Sequence, residues 1–191
     1  MQIYTKEQIE KAIDIPYLIA EIEKGLTLYS KEKAIIAPSS FLHFKNPPGD
    51  VHIKSGAIIG EDLYVVKIAS GFYDNPKLAL SSSNGLMLLF SQKTGELKAI
   101  LLDEDRLTDL RTGLAGAIAA KHLANHPIIK IGIIGTGIQA REQLFNLQFV
   151  TGCREVLIWG RNPAKAMDFA QDPRFSMFNI SLVRNVEEVA E

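Results

Sequence analysis

Apolar positions along the chain follow three successive rhythms. Near the N-terminus, Thr5 stands as a helix cap before Lys6 to Ile13, and Pro16 opens a second run to about Tyr29 in which Ile19, Ile22 and Leu26 share one helical face. From Lys33 to Leu101 the spacing shortens to that of strands. Ala34 to Ala37, Phe41 to Phe44, Val51 to Ile59, Leu63 to Ala69, Leu86 to Phe90 and Leu97 to Leu101 are apolar runs divided by Pro, Gly and Asn clusters, which predicts a mostly antiparallel sheet. Ser91 to Glu96 reads as the hairpin loop before the last strand. Leu107 to Ala124 then returns to helical spacing. Its Ala115, Gly116, Ala117, Ala119 and Ala120 allow close packing, and the helix carries the chain into a second domain.

The second domain opens on IIKIGIIGTGIQAR, residues 128 to 141. The β-branched run between Pro127 and Gly135 suits a buried parallel strand, and Gln139 to Val150 suits a helix. Between them, Gly135, Thr136, Gly137, Ile138, Gln139 and Ala140 fit G-x-G-x-x-A. In that pattern the first glycine permits a tight turn, the second lets backbone approach a pyrophosphate, and the small last residue lets helix and strand pack closely. The phosphates would rest on free helical N–H groups. Glu155 to Trp159 is the next strand, Asn162 caps a helix with Pro163 at its first position, and Met177 to Val183 is a third strand. Asn185 to Glu191 resembles the opening of another helix. This amounts to one mononucleotide-binding half of a doubly wound fold, so the sequence reads as a truncated chain.

An NAD-binding fold places a carboxylate about 20 residues beyond the glycine loop to hold the ribose 2′-hydroxyl. Here the strand ends Trp159-Gly160-Arg161-Asn162, with no acid. Arg161, with Asn162 beside it, could instead meet a 2′-phosphate through a charge-assisted fork, so NADP(H) is favoured and NAD(H) is the alternative. The plain structural reading is a solvated arginine on a turn.

Composition narrows the function classes. The 191 residues are 47% hydrophobic with a net charge of −1, enough apolar content for one full core and without the basic field that nucleic acid requires. The N-terminus lacks the apolar core of a signal peptide, and no apolar run reaches the ~18 residues of a membrane helix, so a cytoplasmic protein is expected. Cys153 is the lone cysteine, and His43, His52, His122 and His126 are dispersed, so neither a disulfide nor a metal site is expected.

In order and spacing, Tyr64-Val65-Val66-Lys67-Ile68-Ala69-Ser70, Asn84-Gly85-Leu86-Met87, Thr94-Gly95, Leu107-Thr108-Asp109-Leu110-Arg111-Thr112 and the glycine loop resemble the ornithine cyclodeaminase / mu-crystallin family. The resemblance implies an N-terminal α+β substrate-binding and dimerisation domain, residues 1–113, followed by a Rossmann NAD(P)-binding domain, residues 114–191, of which only the first half is encoded. It implies a homodimeric enzyme that uses hydride transfer at the α-carbon of a small amino or imino acid, as a cyclodeaminase or an imino-acid reductase. The alternative is a non-enzymatic NADP-binding protein of mu-crystallin type, or an inactive truncated member.

Lys67 lies in an apolar strand beside Ala69, Ser70 and Gly71, where burial would lower its pKa toward a value suited to acid–base work. By resemblance it handles protons at the substrate; otherwise it is an edge-strand lysine in solvent. Arg111, near the start of the long helix, combines a guanidinium with a helix N-terminus and by resemblance clamps the α-carboxylate, the alternative being a plain capping-region arginine; Ser82 stands where the family has a hydroxyl near cofactor or substrate, or is a serine of the turn Ser81 to Asn84. The sequence departs from the family at Pro38-Ser39-Ser40, where a carboxylate-binding arginine commonly follows the proline. Asp50, His52 and Lys54 alternate onto one strand face, so His52 or Lys54 could supply that cation, or the three lie on a solvated strand face. The family's cyclodeaminase aspartate falls past Glu191.

Overall fold

Thr5 ends one element and opens the next. Its hydroxyl accepts from the Gln8 N–H while the Gln8 side chain accepts from the Thr5 N–H at 2.9 Å, a reciprocal capping box. The computed structural model describes residues 1–190. Along the chain they form β1 (Gln2–Thr5), α1 (Lys6–Lys11), α2 (Ile15–Ser30), β2 (Ala34–Ile36), β3 (Ser40–Phe44), β4 (Gly49–Ile58), β5 (Leu63–Phe72), β6 (Ser83–Ser91), β7 (Leu97–Leu102), α3 (Arg106–Leu123), β8 (Ile131–Ile134), α4 (Ile138–Leu147), β9 (Glu155–Trp159), α5 (Pro163–Ala170) and β10 (Asn179–Leu182). They divide into two compact units: Met1–Asp14 with Ala20–Thr108, and Ile15–Ile19 with the residues from Asp109 onward.

The first unit is built on a seven-stranded sheet in the order β1-β7-β6-β5-β4-β2, with β3 also paired to β4. All its pairings are antiparallel except that of β1 with β7. β1 is absent from the sequence reading because its four residues are all exposed and so show no alternation; its strand form comes from Gln2 to Thr5 pairing with Ala99 to Leu102. The predicted hairpin loop is present. Ser91 ends β6, its hydroxyl accepts from the Lys93 and Thr94 N–H groups, and Gly95 turns the chain at φ +69°.

The second unit is a β-α-β-α-β arrangement whose three parallel strands lie in the order β10-β9-β8. Ile131, Ile133, Val156 and Ile158 point from the strands into a core shared with Leu144, Phe169, Phe175 and Phe178. β8 is not buried on both faces as its composition suggests: Ile134 is exposed, and Gly132 faces Val189, which a Cβ there would approach to 2.6 Å. The small residues of α3 do allow close packing, since a Cβ on Gly113 would come within 2.8 Å of Asn146 Nδ2 on α4. The predicted helical opening at Asn185 to Glu191 is a short 3-10 turn at Glu187–Val189, and Glu191 lies outside the described residues.

Beside this core, Arg141 donates to Asp172 at 2.7 Å and to Asp168 at 2.5 Å, while Arg174 donates to Asp172 at 2.8 Å. The Arg174 hydrogen bonds, with Arg141 beside them, lower the Asp172 pKa from its ordinary value to about 2. A depressed carboxyl contributes stability that is complete above its unfolded value near 3.8 and is lost as pH falls through about 2. Thermal melts between pH 5 and pH 2 should therefore show a steeper loss for the wild type than for Asp172→Asn; parallel curves would show that the pair contributes nothing.

Candidate functional site

The glycine loop sits where β8 hands over to α4. Gly135 has φ +108°, which a side chain would strain, and its N–H donates to the Trp159 carbonyl at 2.8 Å, tying the loop to the end of β9. Gly137 is the extended N-cap of α4 and offers no side-chain cap, so the first N–H groups of the helix keep their donors for an incoming anion. A Cβ added at Gly135 or Gly137 would meet nothing within 4 Å, so the space in front of both glycines is open to a diphosphate. Gln139 is held by donation to Asp109 Oδ1 at 2.8 Å, and Ile134 and Ile138 flank the loop as exposed apolar side chains. The residues present therefore fit a dinucleotide phosphate site.

Ile134 pairs in register with Trp159, so the loop and the residues after β9 share one end of the sheet. Gly160 passes so close to Thr136 that a Cβ there would lie 2.6 Å from its methyl. Arg161, the next residue, is exposed and makes no hydrogen bond or ion pair with any described residue. Asn162 is the cap of α5, as the sequence reading has it: its side-chain oxygen accepts from the Ala164 and Lys165 N–H groups, which leaves its amide nitrogen for a ligand.

In the first unit, β5 runs between β4 and β6, so Lys67 is on an interior strand and not at a sheet edge. Lys67 faces Lys54 on one side and Met87 on the other, and in the neighbouring row His52, Ala69 and Gly85 lie abreast. The next row brings Asp50, Gly71 and Ser83 together. The sheet thus assembles Lys67, Lys54 and His52 on one face. Ser82 lies just outside β6, exposed, with its carbonyl accepting from the Phe72 N–H.

Three further features of the first unit carry no sequence signal. The Tyr73 hydroxyl donates to Asp50 at 2.5 Å, a bond that raises the Tyr73 pKa, and His52 Nε2 lies 3.4 Å from the other Asp50 oxygen. Glu104 and Asp105 both have left-handed backbone, at φ +52° and +70°, and Asp105 Oδ1 stands 3.3 Å from the position of a Gly85 Cβ. Asp103 accepts from the Leu107 N–H at 2.9 Å and caps α3. Arg111 is therefore in the second turn of a helix whose start is already capped, so the helix N-terminus adds little to its pull on an anion. Its guanidinium is exposed and has no partner among the described residues of its unit.

Residues 1–191 match the ornithine cyclodeaminase/mu-crystallin family throughout. The chain belongs to this family. A protein of Rhizobium meliloti named as a dehydrogenase is 37% identical over 167 residues, 87% of this chain and 51% of that relative. Among solved structures, Thermococcus litoralis Δ1-pyrroline-2-carboxylate reductase in complex with NADH and L-proline superposes with a TM-score of 0.90 at 27% identity, covering 99% of this chain and 58% of that one. An archaeal alanine dehydrogenase dimer with bound NAD gives a TM-score of 0.89 at 30% identity, covering 98% and 57%. The chain thus spans about half the length of the relatives it matches, and its two units are the α+β domain and the Rossmann-type β-α-β-α-β region of this family's fold. Among the described residues, no helix is long and apolar enough to cross a membrane.

The close approach of Gly160 to Thr136 predicts that Gly160→Ala displaces the glycine loop. It should weaken binding of ADP-ribose by about tenfold or more while leaving a folded chain, because a Cβ contact under 3 Å must be relieved by moving backbone or Thr136. Equal affinity of both proteins in a calorimetric titration would show that the loop accommodates the methyl without cost.

Proposed function

We propose that this chain supplies the substrate-binding unit and the first cofactor-binding half of an NAD(P)-dependent enzyme that acts on small amino or imino acids. The reading is supported foremost by the glycine loop, whose left-handed Gly135, uncapped Gly137 and open front are what a dinucleotide diphosphate needs. NADP(H) is favoured over NAD(H), because Arg161 emerges without a partner beside that loop and no carboxylate stands in the place of the ribose acid. A bound nicotinamide supplies or accepts the hydride at the substrate α-carbon. Arg111 holds the α-carboxylate, and Lys67, on its interior strand, gives or takes the proton at the substrate nitrogen or carbon. Ser82, exposed just before β6, is a further hydroxyl for substrate or cofactor.

The cofactor reading is tested by fluorescence titration. NADPH should bind more tightly than NADH, and Arg161→Ala should cost about tenfold or more for NADPH alone, the worth of a charged hydrogen bond; equal affinities in the parent protein would remove the preference. Three parallel strands form the adenosine half of a doubly wound sheet, and a nicotinamide ring not fixed against its substrate forfeits about 7–11 kcal/mol of positioning. The 191 residues alone should therefore turn over pyrroline-2-carboxylate with NADPH, or ornithine with NAD, negligibly. Joined to the C-terminal half of the archaeal alanine dehydrogenase they should turn over, and Lys67→Ala should lower kcat by about 10²–10⁴. Undiminished turnover in that variant would take Lys67 out of the chemistry.

The first unit is also proposed to pair with a second copy of itself. On the sheet face opposite Lys67, Ile35, Ala57, Tyr64 and Val66 line an open groove of about 380 Å³, an apolar surface of the kind that homodimers cover. Sedimentation should give a dimer at micromolar concentration, and a species of 21.1 kDa throughout would contradict it.

A further inference from the structure

We propose that Arg184 is a second arm of the nucleotide site, closing with Arg161 on the 2′-phosphate of a phosphorylated adenosine. The proposal rests on the reading of the glycine loop as a dinucleotide site and adds to it a residue from the third strand of the sheet.

Beyond α3, the second unit commits most of its arginines. Arg141 and Arg174 are held by Asp168, Asp172 and Glu142, while Arg154 donates to the Thr151 and Cys153 carbonyls and lies 5.5 Å from the centre of the Phe178 ring. Arg161 and Arg184 are different. Both are exposed, and their side chains make no hydrogen bond or ion pair with any described residue. Each follows the carboxyl end of a parallel strand, Arg161 after β9 and Arg184 after β10, and that is the end at which open parallel sheets take their ligands. Glu187 and Glu188, the acids next along the chain, pair with neither, and Glu188 accepts from the Asn185 N–H at 3.0 Å.

The backbone brings the two arginines together. β9 and β10 pair from Glu155 opposite Asn179 to Ile158 opposite Leu182, and the Val183 N–H extends the ladder by donating to the Ile158 carbonyl at 3.0 Å. One residue on, the Trp159 indole N–H donates to the Arg184 carbonyl at 3.3 Å. Arg184 is thereby fastened to the strand that leads through Gly160 into Arg161, across a strand spacing of about 4.8 Å that an arginine side chain readily spans. The sheet order β10-β9-β8 sets the ligand over three strand ends in turn. With the diphosphate on the loop after β8, the adenosine ribose reaches the end of β9, and Arg184 stands beyond it at the end of β10. Neither strand end carries an acid to take a bare 2′-hydroxyl. Two neighbouring guanidinium groups repel, and a phosphate dianion between them relieves the repulsion through charge-assisted hydrogen bonds. The ligand class is thus a 2′-phosphorylated adenine nucleotide.

Calorimetric titration of the 191-residue protein with ADP-ribose and with 2′-phospho-ADP-ribose, at low ionic strength, tests this. Wild type should bind the 2′-phosphorylated ligand about tenfold or more tightly than the plain one. Arg184→Ala should lose about tenfold for the 2′-phosphorylated ligand alone, and Arg184→Lys, which keeps the charge without the planar fork, should fall between. ADP-ribose affinity and the melting midpoint should be the same in all three proteins, since the side chain is exposed. Equal weakening of both ligands in Arg184→Ala would place the guanidinium on the adenine or the diphosphate and overturn the proposal. Should Arg184→Ala bind both ligands as wild type while Arg161→Ala weakens the 2′-phosphorylated one, the role of Arg184 fails and the NADP(H) preference stands; should wild type bind neither ligand, the dinucleotide reading fails with it.

Discussion

A single main-chain bond, the Gly135 N–H to the Trp159 carbonyl at 2.8 Å, sets where the ligand end of the second unit can be. It joins the residue that leaves β8 to the last residue of β9, so the glycine loop and the Arg161 turn must open at the same end of the sheet. The left-handed Gly135 then directs the chain back into α4 with its first donors outward, and the bare Gly160 lets the β9 turn lie against Thr136. A side chain at any of these glycines would meet either backbone strain or a neighbour, and the spacing between phosphate donors and Arg161 would change with it.

In the first unit the comparable constraint is register. Side chains alternate across a strand, so a slip of one residue between β4 and β5 would move Lys67 and its row to the opposite face, into the apolar surface around Tyr64 and Val66. Two unlike surfaces on one sheet therefore specify its pairing: a face on which Lys54, Lys67 and His52 stand among small and apolar residues such as Ala69, Val65 and Met87, and a face of Ile, Val, Leu and aromatic side chains. The stacked Tyr64 and Phe90 rings, 5.1 Å apart, lock the apolar face across β5 and β6. Lys67 stands half-buried on an interior strand of that sheet.

The family relationship and the geometry inform different levels. Matching the family over residues 1–191, with TM-scores of 0.90 and 0.89, establishes fold and ancestry. The same scaffold serves a pyrroline-2-carboxylate reductase and an alanine dehydrogenase, so substrate choice is a property of side chains and not of the fold.

What the sequence determined by itself was local. Thr5 and Asn162 cap helices because a side-chain oxygen reaches N–H groups two or three residues on, a matter of nearby atoms, and the boundaries of β9 and the form of the glycine loop follow from equally short-range preferences. Lys67 and Arg111 were visible as charged groups in apolar or helical settings. The tertiary structure alone decided what depends on segments distant in the chain. β1 is a strand only because β7, far along the chain, offers Gln2 to Thr5 the hydrogen-bonding edge of Ala99 to Leu102. Lys54 faces Lys67, Tyr73 reaches Asp50, and Asp105 fills the space over Gly85 only once the strands are in register. Propensity and capping act over a few residues, whereas strand order and cross-strand partners are chosen by burial over the whole sheet, which no local pattern encodes.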